Sequence, residues 1–196
     1  MRKINCGELK VEKVLFLGYG EKDSRIIQRM VDLQFDVWHT NDCVSDLSDF
    51  DLVISYGYRF ILDEKTLSSA SRPVINLHIS YLPWNRGAHP NFWSFFDGTP
   101  SGVSIHILDL GLDTGDVLFQ KYVDFSVEED TFVKTYWRLR FEVESLFLEN
   151  IHLIVSGGYS RTPQCGKGSY HRQSDLPLDF QGWDTKIEAE IARLKK

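Results

Sequence analysis

Four short strand-like runs separated by helical or mixed segments constrain this chain more than any other feature of its sequence. Residues 13–17 form an apolar run ending in Gly18-Tyr19-Gly20, and residues 35–39, 52–56 and 74–78 are the next three, the last announced by Pro73. Between the first two, residues 23–33 carry Ile26, Ile27, Met30 and Leu33 at helical spacing. Strands that alternate with crossover segments pair in parallel, so the chain is expected to be an α/β protein. The expected architecture is an open, mostly parallel sheet with helices on both faces. Such sheets bind ligands beyond the carboxyl ends of their strands, where the strand order reverses. The residues that follow the run at 74–76 therefore draw attention first.

Further along, residues 81–100 are rich in Pro, Gly, Asn and aromatics, which predicts a loop leading into a short helix at 91–96. Residues 103–109 and 117–125 read as strands joined by a turn at 110–116. Ser126-Val127-Glu128-Glu129 has capping-box spacing. After it Phe132, Tyr136, Leu139, Val143, Leu146, Phe147 and Ile151 line one helical face, until Gly157-Gly158 stops the helix. One α/β domain is expected over residues 1–158. Residues 159–196 are then a short C-terminal extension ending in a charged helix at 185–196, packed on or near the core.

Charge and cysteine usage narrow the possible partners. With 22 Lys+Arg against 28 Asp+Glu the net charge is −6, which argues against gripping nucleic-acid phosphates. Cys6, Cys43 and Cys165 are scattered and odd in number. That pattern suggests a reducing compartment, with neither a disulfide framework nor a zinc site. No apolar stretch approaches the roughly 18 residues that cross a bilayer. The opening MRKINCGELK lacks the apolar core of a signal peptide. A cytoplasmic protein with no membrane partner is expected.

Three places can hold chemistry. Gly18-Tyr19-Gly20 invites a dinucleotide reading, but the third glycine of that fingerprint would fall at Asp23, whose charge repels a pyrophosphate. A plain tight strand-to-helix turn is the expectation. Asn76 and His78 end a strand, and alternation puts both on one side of the chain. A strand carrying His106 then runs into a glycine-containing turn with Asp109, Asp113 and Gly115. Asp109 reads as turn chemistry. Asp113 is a candidate to reach the same strand-end face. His78, His89, His106 and Asp113 lack metal-ligand spacing, so no metal is expected.

Taken together, Asn76-Leu-His78-Ile-Ser80-Tyr-Leu82-Pro83, Gly102-Val-Ser-Ile-His106 and Asp113-Thr-Gly115 resemble the signature of the folate-dependent formyltransferases. The family usually has Pro where Ile79 stands and Thr where Ser104 stands. The resemblance spans about residues 10–157 and implies a Rossmann-like catalytic domain over 1–158. Arg86-Gly87-Ala-His89-Pro90-Asn91-Phe-Trp93 and Gly168-Ser-Tyr170-His171-Arg172 look most like the sugar-nucleotide N-formyltransferases. Fewer than forty residues follow Gly158, so the C-terminal barrel of the methionyl-tRNA enzymes is not expected. The glycinamide ribonucleotide enzymes carry a Ser-Gly-rich loop where this chain has Gly-Tyr-Gly-Glu-Lys-Asp.

The resemblance implies transfer of the formyl group of 10-formyltetrahydrofolate to the amine of a nucleotide-linked amino-dideoxy sugar, of the kind made for bacterial surface polysaccharides. Glycinamide ribonucleotide or another small amine as acceptor, or a non-catalytic folate- or nucleotide-binding module, are the competing readings. Asn76, His78 and Asp113 are the implied catalytic residues, with His106 supporting Asp113. The folate slot is implied between Arg59, Phe60, Ile61 and Leu62 on one side and Leu108, Gly111, Leu112 and Asp113 on the other. Trp84, Asn85, Arg86, His89 and Asn91 are implied to face the amino substrate, with Arg86 matching a diphosphate by its bidentate fork. Tyr170, His171 and Arg172 either close over the nucleotide or tie the tail to the domain. The family often forms dimers, so a homodimer is expected. The aromatic-rich stretch at 117–125 is a candidate surface for it, although core packing explains that stretch as well.

Overall fold

The computed structural model describes residues 13–126 and 129–196. Cys6, the opening segment and the middle of the expected capping box (Val127, Glu128) lie outside the described residues. A six-stranded sheet has the order β2-β1-β3-β4-β6-β7. β1 (Lys13–Gly18), β2 (Asp36–Thr40), β3 (Leu52–Tyr56) and β4 (Ile75–His78) run parallel. β6 (Gly102–Ile107) and β7 (Val117–Tyr122) complete the sheet antiparallel to their neighbours. Strand direction is not encoded in an apolar run, so the sequence pattern leaves this reversal open.

α1 (Arg25–Asp32), α4 (Phe132–Glu149) and α5 (Ile151–Ser156) cover one face. There Ile26, Met30, Leu139, Val143, Phe147 and Ile154 pack on Val14, Phe16, Ile54 and Ile105. Each such side chain, fully buried, stabilises the fold by about 1.5–3 kcal/mol. The other face carries Leu15, Leu17 and Val53 beneath Leu47, Leu62 and the short α2 (Glu64–Ser69). The sequence pattern does not show α2, because only Thr66 of its six residues is buried.

The long helix starts later than its capping-box spacing suggests. Glu129 does accept from the Ser126 amide at 2.8 Å, but this closes a turn, and the helix begins at Phe132 with Thr131 as its cap. Asn150 then separates α4 from α5, and Gly157 ends α5 in a left-handed conformation.

The tail is packed down at three places. Thr162 bridges Val117, and β8 (Tyr170–His171) pairs in parallel with β5 (Arg86–Gly87). α6 (Ile187–Leu194) brings Ile187 against Phe132 and against Phe92 and Trp93 of α3 (Pro90–Phe96). Most of the aromatic stretch proposed for a dimer surface is core: Leu118 and Val123 are buried, and Phe119 and Phe125 pack on them. Tyr122 is its exposed aromatic ring, stacked on Tyr81 at 3.6 Å, with Lys121 and Asp124 exposed beside it. Among the described residues no helix is long and apolar enough to cross a membrane.

The turn after β1 is tight for a steric reason. Gly18 has φ +108°, and a Cβ there would lie 2.1 Å from the Tyr56 carbonyl oxygen of β3. Gly18→Ala should therefore cost about 3 kcal/mol, combining backbone strain with overpacking. Urea denaturation would measure it, and a loss below about 0.5 kcal/mol would mean that the turn can open.

Candidate active site

Strand pairing assembles the site. In β4 and β6, Ile75, Leu77, Val103 and Ile105 point into the core under α4. Alternation sends Asn76, His78, Ser104 and His106 to the opposite face, where Asn76 lies across from His106 and His78 from Ser104. A register irregularity between Ile105 and His106 against β7 sits beside the site, as bulges commonly do. Asp113 comes from the turn after β6, held at φ +54°.

The three expected side chains converge. Asn76 Nδ2 lies 3.0 Å from His106 Nε2 and 3.4 Å from Asp113 Oδ1. His78 Nε2 is 3.7 Å from Asp113 Oδ2, and His106 Nε2 is 3.5 Å from Asp113 Oδ1. His106 is fully buried and its Nδ1 meets the Ile107 carbonyl at 2.9 Å. With the ring N–H donated there, Nε2 accepts from Asn76 and fixes the face that the carboxamide amino group presents. His78 Nε2 donates to the Asn85 carbonyl at 3.2 Å. Asp113 Oδ2 accepts from the Gly87 amide at 2.8 Å.

Burial drives the His78 imidazole below its ordinary value of 6.5; Asp113 opposes this and His106 adds to it. Burial works against the Asp113 charge, yet His78, His106 and the Gly87 amide together hold its carboxyl well below the usual range. The result near neutrality is a neutral imidazole beside an ionised carboxylate.

A cleft of about 780 Å³ opens over this trio, lined by Tyr19 after β1, by Tyr56 at the end of β3 with Gly57, Tyr58 and Arg59 beyond it, and by His78 at the end of β4 with Ile79 beyond it. β1 and β3 are neighbours separated in the chain by β2 at the edge, so this is the point where strand order reverses. An adjoining cleft of about 520 Å³ shares Tyr19, Arg59, Ile79 and His89 with it, and adds the aromatic walls Phe132, Trp137 and Trp183.

Of the residues implied for the folate slot, Arg59, Ile61, Leu112 and Asp113 line the larger cleft. Ile61 and Leu112 are exposed apolar side chains, 81% and 42% accessible. Leu62 and Leu108 instead belong to the core under α2. Phe60 is exposed and leans on the Tyr58 ring, and the Gly111 amide closes a turn on Asp109. Neither Phe60 nor Gly111 lines the cleft.

Among the residues implied for the acceptor, His89 lines both clefts and Asn91 the smaller one. Asn91 is 3% exposed; its Nδ2 donates to the Phe132 carbonyl, and its Oδ1 has no hydrogen-bond partner among the described residues. Asn85 is fully buried and its side chain is consumed by Thr99 and Ser169, so it cannot face a substrate. The Arg86 guanidinium is held bidentately by Gln164 Oε1, at 3.0 and 2.7 Å, and is turned from both clefts. Trp84 and Tyr170 do not line them either, and Tyr170 with His171 ties the tail to β5.

Sequence reasoning did not find Tyr19, Tyr136 and Arg140. The two phenols meet at 2.8 Å, and the Arg140 guanidinium lies 4.0 Å from the Tyr19 ring while donating to Tyr56. Their only signal was the Tyr between the two glycines of the first turn. Among the described residues no group of three His, Cys, Asp or Glu side chains is arranged to hold a metal ion.

The class defined here is a Rossmann-like α/β sheet with an Asn-His-Asp cluster in the cleft that reaches its switch point. The chain belongs to the formyl transferase family, whose model matches residues 39–151. It is 39% identical over 146 residues to a methionyl-tRNA formyltransferase of Fusobacterium nucleatum, covering 72% of this chain and 46% of that protein. A GDP-perosamine N-formyltransferase of Brucella melitensis is 32% identical over 131 residues, covering 66% and 49%. The chain thus spans about half the length of these curated relatives. It is similar throughout to the solved formyltransferase PseJ from Anoxybacillus kamchatkensis, with 40% identity and a TM-score of 0.82, covering 90% of this chain and 96% of that one. That structure is a complex with UDP-4,6-dideoxy-4-formamido-L-AltNAc and tetrahydrofolate.

Proposed function

We propose that this chain transfers the formyl group of 10-formyltetrahydrofolate to the primary amine of a nucleotide-linked amino-dideoxy sugar. The observation that carries the reading is the meeting of a carboxamide, a neutral imidazole and an ionised carboxylate at the switch-point cleft. For the donor, the fit is supported by the exposed apolar side chains Ile61 and Leu112 on the cleft lining, which would flank a flat ring. When bound, the donor supplies an acyl carbon open to attack.

The chain's own part is proton handling and charge stabilisation. His78 accepts the proton that the attacking amine must lose, a task suited to an imidazole uncharged at neutral pH. Asn76 has one N–H committed to His106, and the other, in a long 3.4 Å bond to Asp113 Oδ1, can exchange that bond for charge developing on the formyl oxygen. Asp113 holds His78 in place and sustains its basicity.

For the acceptor, three features support a nucleotide sugar. The likeness to PseJ extends over nearly the whole of both chains. The adjoining cleft offers aromatic walls on which a base can stack. The net charge of −6 disfavours tRNA. A panel of UDP-, GDP- and dTDP-linked amino sugars, glycinamide ribonucleotide and methionyl-tRNA, each mixed with 10-formyltetrahydrofolate, tests the proposal by product mass. Turnover confined to nucleotide sugars is expected. Transfer only to glycinamide ribonucleotide or to methionyl-tRNA would overturn the sugar reading.

A further inference from the structure

The tail beyond residue 158 lies outside the span that matches the family model, yet its side chains reach the back of the trio. Gln164 Nε2 donates to the Asp113 and Gly115 carbonyls, both at 2.8 Å, while its Oε1 is gripped by Arg86. Ser169 Oγ accepts from the Asn85 amide at 2.8 Å and donates to Asn85 Oδ1 at 3.0 Å. The carbonyl of that same Asn85 receives His78 Nε2. The Arg86 and Ala88 amides donate to the Ser169 and His171 carbonyls. Between them the Gly87 amide is left to bind the Asp113 carboxylate. Packing here is close: a Cβ on Gly87 would sit 2.3 Å from the His171 oxygen.

We propose that Gln164 and Ser169 are positioning residues for formyl transfer, Gln164 fixing Asp113 and Ser169 fixing the carbonyl that orients His78. The proposal rests on the catalytic reading of the trio given above. Its physical basis is twofold. Asp113 holds left-handed backbone, a conformation Asp tolerates better than most residues but that still benefits from a fixed hydrogen-bond partner. The two donors of Gln164 clamp that residue and the one two positions on. A misplacement of about 1 Å at reacting groups can cost about 10²-fold in rate, so loss of these clamps is felt at the chemistry even though neither side chain lines the cleft.

Among the described residues the charged and titratable groups around His78 are Asp113 at 3.7 Å and the His106 ring at 6.2 Å, with Arg59, His89, Arg140 and the phenols of Tyr19, Tyr56, Tyr58 and Tyr136 lining the same cleft. If Asp113 drifts from its place, His78 loses the neighbour that favours its protonated form. Arg86, released from Gln164, would add positive charge near the turn and act in the same direction. The imidazole should then titrate at lower pH than in the parent protein.

The test uses Gln164→Met, which keeps volume without donors, together with Ser169→Ala and its conservative partner Ser169→Thr. For Gln164→Met, a fall in kcat of about 10-fold or more is expected, with the KM for the formyl donor within about 3-fold. Ser169→Ala should lower kcat similarly and Ser169→Thr should restore it. NMR titration of the ring-labelled His78 imidazole, assigned with a His78→Gln variant, reads the positioning without any substrate. A downward displacement in Gln164→Met is expected there. That readout separates this proposal from the functional one, since an inactive parent protein would sink the formyl-transfer reading alone. An unmoved His78 titration in folded Gln164→Met, or equal kcat in Ser169→Ala and Ser169→Thr, would overturn the positioning role.

Discussion

Replacing His78 by alanine should lower turnover by about 10²–10⁴-fold, the usual worth of a positioned general base. The formyl donor should still bind within a few-fold, because the cleft residues proposed to hold it, Arg59, Ile61 and Leu112, are untouched. Neither His106 nor Asp113, the titratable side chains beside His78, is suited to take over the proton. His106 has one nitrogen on the Ile107 carbonyl, the other on Asn76, and no solvent contact. Asp113 is held so far below the usual carboxyl range that its ionised form is a poor base. The same argument fixes the pH dependence. Because burial depresses His78, its neutral form persists below pH 6.5, and the acid limb of kcat/KM should fall below that value. The sign for stability is parallel: the depressed ring contributes stability above pH 6.5, lost as pH falls through its folded value. Steady-state rates and equilibrium binding of a reduced folate check the pair of effects. Loss of folate binding along with turnover would make His78 a structural residue.

How much of this was legible in the sequence depends on the physical signal each residue leaves. β1 and β3 are buried on both faces, so they read as nearly continuous apolar runs, whereas β4 alternates Ile75 and Leu77 with Asn76 and His78. α4 was legible from its periodic apolar face, but its start was not. The Ser126–Glu129 turn makes the capping hydrogen bond without a helix behind it. α2 left no periodic trace because a single buried threonine anchors it. The trio was legible because strand alternation puts Asn76 and His78 on one side and pairing brings His106 beside them. The turn after His106 made Asp113 a candidate for the same face, and the resemblance supplied the implied catalytic role of the set.

The loop residues failed where no period exists to say which side chains turn inward. Asn85 and Arg86 carry the polar groups expected of a substrate-facing loop, yet Asn85 spends its carboxamide on Thr99 and Ser169, and Arg86 its guanidinium on Gln164. Their partners, Gln164 and Ser169, lie 78 and 84 positions away. A single sequence gives no means of pairing side chains across such a distance. The consequence for function is specific: the arginine read as a phosphate ligand instead braces the glutamine that braces Asp113.

Asp113→Asn should reduce turnover by about 10²–10³-fold and move the acid limb of kcat/KM further down the pH scale. A carboxylate-to-amide change beside a catalytic imidazole can cost as much as about 10⁴-fold. The sign follows from the surroundings. The carboxylate 3.7 Å from His78 Nε2 is the group that offsets burial and His106, so removing its charge leaves those two unopposed. His78 then becomes a weaker base with a still lower titration midpoint. The amide cannot mimic the lost contacts either. If its oxygen keeps the Gly87 amide, its NH2 points at the Asn76 donor 3.4 Å away, and two donors face each other. A stability measurement adds an independent sign. The depressed carboxyl of Asp113 contributes stability above its ordinary value of 3.8, and that contribution is lost as pH falls through its folded value. The melting-temperature gap between parent and variant should therefore be widest near neutrality and narrow at about pH 3 and below. A limb displaced to higher pH would mean that Asp113 is not what sustains His78, and that its charge serves the Asn76–His106 pair instead.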